Sequence, residues 1–254
     1  MTQPFKYFFE GNSFVITEEE PNMENNKPLN YYDVEKNLQL AVNDGKIIHL
    51  VSYSMSNDIE KKLDKTIENI LEKYDKAEMQ GLIYTSVKEL AINGTKANLK
   101  RIFFEEKGYD LENPEDYDKG MLEYKEHMIE EKAIEYGKIA KQKGLFVRIS
   151  FFHDPTGMRV EVINNTAITP QEERRLREKL AKIMKYEDLM EFYMENADNT
   201  EGAGMGLALI TTMLKGEEID PNLFRIITTK EQTTARIEIP FSKDYLSLRE
   251  RTKK

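Results

Sequence analysis

LFVRISFFHDPTGMRVEVINN, residues 145–165, decides the fold class. Two stretches rich in β-branched and aromatic residues, LFVRISFFHD and MRVEVINN, flank the turn residues Asp154-Pro155-Thr156-Gly157, so the segment reads as a β-hairpin. Directly after it, TPQEERRLREKLAKIM (169–184) offers Thr169 as an N-cap, Pro170 at the first helical position and Glu172 and Glu173 in the first turn. A second short helix is expected over 186–195. The polar run ENADNTEGAG reads as a loop, 206–215 as a helix, and FRIITTKEQTTARIEIPF as a closing β-hairpin.

Upstream, KIIHLVSYS (46–54) reads as a strand. Ile59, Leu63, Ile67, Ile70, Leu71 and Tyr74 keep a helical period, with Asn57 or Asp58 available as N-cap. A helix is expected over about 78–104, buried on most sides by Leu82, Ile83, Val87, Leu90, Ile102 and Phe103. YDLENPEDYD (109–118) is a break, and 115–142 reads as one exposed, charged helix with a thin stripe of Leu122, Ile129, Ala133, Tyr136 and Ala140. Such a helix either caps the sheet edge or docks a partner helix. Residues 1–46 give aromatic patches and the loop-like run EEEPNMENNKPLN. The order helices, hairpin, helix, helix, hairpin predicts an α+β sandwich with helices on one face of a mixed sheet.

Composition narrows the function classes. The chain has 254 residues, 39% hydrophobic and 33% charged, with a net charge of −9. That length buries one good core, or a core plus a small extra module. An acidic chain is a poor match for nucleic acid or an anionic membrane surface. No run reaches the roughly 18 apolar residues of a membrane span, which predicts a cytoplasmic protein. There is no cysteine, which excludes disulfides, thiol catalysis and zinc–thiolate sites. His49, His127 and His153 are scattered, against a multi-histidine metal site.

Two motifs carry chemistry. KELAINGTKA (88–97) sets Glu89, Asn93 and Lys96 at offsets 0, 4 and 7, on one stripe of a helix. A carboxylate, a neutral oxygen ligand and a cation project together, the parts needed to orient a hydroxyl, hold Mg2+ and neutralise a phosphate. The same stripe is also what an ordinary solvated helix face looks like. EGAGMGLAL (201–209) puts Gly202, Gly204 and Gly206 ahead of the apolar LALITTML. Glycines there let backbone N–H groups crowd a ligand, and a helix N-terminus favours anions. Neither a P-loop nor the G-x-G-x-x-G dinucleotide spacing occurs.

KELAINGTKANLKR resembles the N box of the GHKL ATPases, the group of histidine kinases, type II topoisomerases and mismatch-repair ATPases. EGAGMGLAL is similar to their second glycine box. MRVEVINNTAIT stands where their first glycine box follows a strand, and QTTARIEIPF resembles their final Thr-bearing strand. The resemblance implies a Bergerat-type site for ATP and Mg2+ over about residues 78–245. Residues 1–77 would then be an N-terminal extension packed on the core, about 115–142 an insertion, and 246–254 a charged tail. It makes Asn93 the Mg2+ ligand, Lys96 a phosphate contact and Glu89 the catalytic carboxylate. Asn164, Gly202, Gly204, Met205, Gly206, Leu207 and Thr234 complete the implied nucleotide site. The first glycine box departs from the pattern: Asn164-Asn165-Thr166-Ala167 has neither the adenine-binding Asp nor a glycine, although Asn164 can still accept through its amide oxygen.

Two functions follow as expectations. One is an ATP-binding, kinase-type protein that phosphorylates or ATP-dependently grips a protein partner. The other is a non-catalytic module in which nucleotide gates partner affinity. The partner is an unidentified protein, or a second copy in a homodimer. The 196–206 loop is expected to act as a lid that orders on nucleotide.

Overall fold

The structure, a computed structural model, describes residues 6–17, 34–128, 130–186, 188–196 and 204–252. It is a mixed α+β protein built on a seven-stranded mixed sheet. The expected hairpin is present as β4 (Val147–Asp154) and β5 (Gly157–Asn164), paired from Asp154↔Gly157 to Val147↔Asn164. Asp154 Oδ1 accepts from Thr156 N at 2.7 Å and pins the turn. The closing hairpin is β6 (Phe224–Thr228) and β7 (Thr233–Pro240), and β7 pairs with β5.

The N-terminal region holds more than the sequence reading assigns. FKYFFE and SFVIT form β1 (Lys6–Glu10) and β2 (Ser13–Thr17), an antiparallel pair turning at Gly11-Asn12. Helix α1 (Val34–Asn43) then crosses over to β3 (Ile47–Ser52), which lies parallel to β2. Full order across the sheet is β1-β2-β3-β4-β5-β7-β6.

One face of this sheet is the core. Alternate strand positions point into it: Phe14 and Ile16, Ile48 and Leu50, Ile149 and Phe151, Val160 and Val162, Ile237 and Ile239. Helices α1, α2 (Asn57–Lys73), α3 (Gln80–Lys107) and α8 (Met205–Gly216) cover that face with Leu38, Leu63, Ile67, Val87, Ile210 and Leu214. Each such side chain, fully buried, contributes about 1.5–3 kcal/mol. Ser56, not Asn57 or Asp58, caps α2: its hydroxyl accepts from Ile59 N, one residue earlier than expected.

Helix α3 serves two cores. Its first half, through Leu82, Ile83, Val87, Leu90 and Ala91, packs on the sheet. Its second half, through Leu99, Ile102, Phe103 and Phe104, packs in a separate cluster with Tyr117, Tyr124, Tyr136 and Ala140. The segment 115–142 is therefore corrected from one helix to two, α4 (Pro114–His127) and α5 (Glu130–Gln142), broken near Met128. Its stripe is not thin either. Tyr136 and Ala140 are fully buried while Leu122 is 64% exposed, so the segment is anchored to α3. Ile129 lies outside the described residues.

Helix α6 (Pro170–Ile183) starts as expected, with Thr169 and Glu172 in a reciprocal capping box. Helix α7 (Leu189–Asn196) follows, and a short α9 (Leu248–Arg251) ends the described chain. Among the described residues, no helix is long and apolar enough to cross a membrane.

Candidate functional site

A cleft of about 610 Å3 opens where α3, α6 and the start of α8 meet the ends of β5 and β7. Helix α3 sends Glu89, Asn93, Lys96 and Lys100 into it, one stripe at successive turns. Helix α6 faces them with Glu172, Arg175, Leu176 and Lys179, also one stripe. The sheet supplies Val162, Asn164, Thr233 and Ala235, and α8 supplies Gly204, Met205, Gly206, Leu207 and Leu209. Of the expected residues, Glu89, Asn93, Lys96, Asn164, Gly204, Met205, Gly206 and Leu207 are thus brought together.

Of the other two, one is placed away from the cleft and one is outside the described residues. Gly202 lies outside the described residues, as does most of the expected lid. Thr234 is placed differently from expectation. Strand side chains alternate, so Thr233 and Ala235 line the cleft while Thr234 sits on the other face of β7, where Gln232 Nε2 donates to its hydroxyl at 3.4 Å.

Close packing shapes the floor. At Gly94 a Cβ would sit 3.0 Å from Val147 Cγ2, so a glycine lets α3 lie near the sheet. Its carbonyl accepts from Asn164 Nδ2 at 3.1 Å, and Asn164 Oδ1 takes the Thr166 hydroxyl at 3.0 Å. The Asn164 side chain is thereby fixed, with one lone pair on Oδ1 left for a ligand. Gly204 adopts φ 70°, the left-handed conformation that glycine favours, and from there the chain enters α8, whose first residues Met205 and Gly206 line the cleft. The Lys179 stem lies over Gly204, 2.5 Å from where a Cβ would stand. Glu89 lies against Gly206 so closely that a Cβ there would strike its carboxylate.

The charges sort into committed and open groups. Glu172 bridges Lys100 and Arg101. Burial opposes its charged form, yet the two cations hold its pKa below the ordinary carboxylate value. Arg175 pairs with Asp118 at 3.2 Å and lies over the Tyr117 ring, 4.6 Å from its centroid. Lys100 approaches the same ring at 5.3 Å, so a residue of α4 reaches the cleft wall. Lys96 and Lys179 form no ion pair among the described residues, which leaves an excess of positive charge opposite Glu89. Sequence reasoning missed the α6 stripe and Tyr117. The Glu172, Arg175, Leu176, Lys179 spacing was legible, but Glu172 was read only as a first-turn acid.

Comparison with known proteins gives three findings. No family model matches the chain. An uncharacterized protein of Treponema pallidum (strain Nichols) is 32% identical over 193 residues, which cover 76% of this chain. The match spans only 37% of that relative's own length. A solved structure, the SiaB–SiaC complex from Pseudomonas aeruginosa, contains a chain matching 80% of this one and 96% of its own length, at TM-score 0.42 and 11% identity. The expected membership in the GHKL group is corrected accordingly: the structural neighbour found is described as a SiaB–SiaC complex and not as a member of that group.

Proposed function

We propose that the cleft binds ATP with Mg2+ and that the occupied protein acts on a protein partner, by phosphotransfer or by ATP-dependent binding. The observation that carries this reading is the meeting of two features across one cleft. The Glu89–Asn93–Lys96 stripe of α3 faces the glycine-opened N-terminus of α8. Lys96 and Lys179 favour an anion, and the α8 amides favour the same charge. Glu89 occupies that helix end as well, and a phosphate beside a carboxylate is repelled unless a cation lies between them. Mg2+ suits the donors at hand, since it takes oxygen ligands and commonly binds one or two protein groups plus phosphates. Asn93 would hold it, with the Glu89 carboxylate beside the metal site. Leu90, Val162, Ile168, Leu176 and Ile226 add an apolar wall against which a base can stack.

Mg2+-supported phosphoryl transfer needs a group that orients or accepts a proton from the attacking hydroxyl, and Glu89 is the carboxylate in position. Titration calorimetry with ATP, with and without Mg2+, tests the reading. Asn93→Ala is expected to lose the Mg2+-dependent part of the affinity with the fold intact. Unchanged Mg2+–ATP binding in that variant overturns the assignment.

A further inference from the structure

We propose that a second site, at the opposite end of the sheet, binds a small oxyanion, either phosphate or the phosphoryl group of a small phosphomonoester. The pocket has a volume of about 210 Å3 and lies between the start of β3, the β4–β5 turn and the C-terminal segment. Strand β5 runs from Gly157 beside it to Asn164 in the cleft, so roughly 23 Å of extended chain separates the two. They share no residue. A pocket of this size is too small for a nucleotide and ample for a phosphate.

Three cations line it: Lys46, Arg159 and Arg251. Two of them face a carboxylate, Arg251 with Asp154 and Arg159 with Glu161, while Asp154 is the acidic residue in the lining, so the pocket keeps an excess of positive charge. Asp154 holds its own turn, with Oδ1 accepting from Thr156 N and from the Thr156 hydroxyl, and its Oδ2 lies 4.0 Å from Arg251. Glu161 sits 3.2 Å from Arg159 Nε, yet that buried Nε makes no hydrogen bond. Lys46 forms no ion pair among the described residues. A concentration of positive charge in a chain of net charge −9 is a local feature, not a reflection of the whole molecule.

The cations are also held in place. Arg159 stacks on Phe152, 3.8 Å from the ring centroid. Arg251 Nε donates to the Leu246 carbonyl at 2.8 Å. Tyr245, below Arg251, donates to Glu238 at 2.9 Å and packs on Gly157. His153 fixes the backbone of Lys46: Nε2 lies 3.1 Å from its carbonyl and Nδ1 2.9 Å from the Tyr74 hydroxyl. Both ring nitrogens are used, so His153 is a wall of the pocket. Donors already ordered by packing lose little freedom on binding an anion, and arginine forks match the tetrahedral oxygens of phosphate.

The test is titration of the full chain with inorganic phosphate and, separately, with glycerol 3-phosphate, against sodium chloride of matched ionic strength. Binding is read from the melting temperature and from the amide NMR signals of Lys46, Gly157 and Arg251. Either phosphate source is expected to raise the melting temperature and move those signals, and the stronger of the two identifies the natural form. Lys46→Gln and Arg251→Gln each remove one charge from a partly or fully exposed side chain, and each should weaken binding by roughly tenfold or more. Lys96→Gln, in the large cleft, should leave the phosphate-dependent shifts of the Lys46, Gly157 and Arg251 amide signals in place, whatever it does to the melting temperature. The site is overturned if chloride gives the same response, if Lys46→Gln and Arg251→Gln both bind as the parent does, or if Lys96→Gln abolishes those shifts.

Discussion

Glu89 and Gly206 touch across the cleft so closely that no side chain larger than hydrogen fits at 206 while the Glu89 carboxylate stays where it is. Gly206 is helical and not at positive φ, so the conflict is steric alone. Gly206→Ala is expected to push the half-exposed, flexible Glu89 carboxylate off the helix end at a small cost in stability. Glu89→Ala removes the obstructing atoms, and in that background the same change should cost nothing or stabilise slightly. A double-mutant cycle by urea denaturation measures the coupling, and additive effects would show that the contact is not made.

Glu89→Gln keeps the shape of that contact and removes the charge. Binding of Mg2+–ATP is expected to persist, whereas any hydrolysis or transfer should fall by roughly 100- to 10,000-fold, the range typical of a positioned acid–base group. Equal rates in parent and variant would favour a nucleotide-gated binding module over a kinase.

Glu172 restrains Lys100 beside the cleft. Glu172→Gln strands two partly buried cations and is expected to cost about 2–3 kcal/mol, near the lower end for breaking a buried pair. The freed Lys100 should tighten ATP binding at the same time. Chemical denaturation and calorimetry on one sample check both, and a loss of stability with weaker binding would contradict the assignment.

Gly120 holds the second core closed. A Cβ there would stand 2.6 Å from Phe104 Cζ, and the buried ring cannot swing aside. Gly120→Ala gains up to about 1 kcal/mol in helix propensity and loses about 1–3 kcal/mol to overpacking, a net loss. In a Phe104→Leu background the loss should shrink. Thermal unfolding of the four proteins reads the outcome.

Stability should fall as the solution is acidified. Burial lowers the pKa of His49 and of His153 from 6.5 to about 4. Between those values the unfolded chain binds protons that the folded chain refuses, so stability is full above pH 6.5, declines toward pH 4 and is flat below it for these groups. Glu172, whose pKa is held below 4.5, adds its own loss only at the acid end. His153→Gln should flatten the slope of stability against pH between 4.5 and 6.5. An unchanged slope would mean that His153 titrates normally.

How much of this could be read beforehand depended on where the determining contacts lie. The β4–β5 hairpin and α6 were legible because their signals are local: a turn tetrapeptide in one, an N-cap threonine followed by a proline and two acids in the other. The Glu89–Asn93–Lys96 stripe was legible because helix spacing alone sets it. The β1–β2 pair was missed, although Gly11-Asn12 is a two-residue turn signal, because the long polar run after it outweighed a short hairpin. The choice between Thr233 and Thr234 rests on register, Asn164 opposite Thr233, and a slip of one residue reverses the face. The break near Met128 has no proline or glycine to announce it. Packing of Tyr124 and Tyr136 around Phe103 and Phe104 sets it, and those contacts are distant in sequence.

The seam between β3 and β4 has a kinetic consequence. It pairs Ile48 with Phe151, and α2 to α5 all lie in the loop that this pairing closes. Closing a loop of about a hundred residues costs more entropy than closing either C-terminal hairpin, and non-local pairing of this kind slows folding. The β4–β5 and β6–β7 hairpins can each form from neighbouring segments, whereas β5 meets β7 only after α6, α7 and α8 have been passed. The β1-β2-β3 half can pair within itself but cannot join the rest until a whole helical layer has been gathered, so during synthesis the edge of β3 stays open until β4 arrives about a hundred residues later.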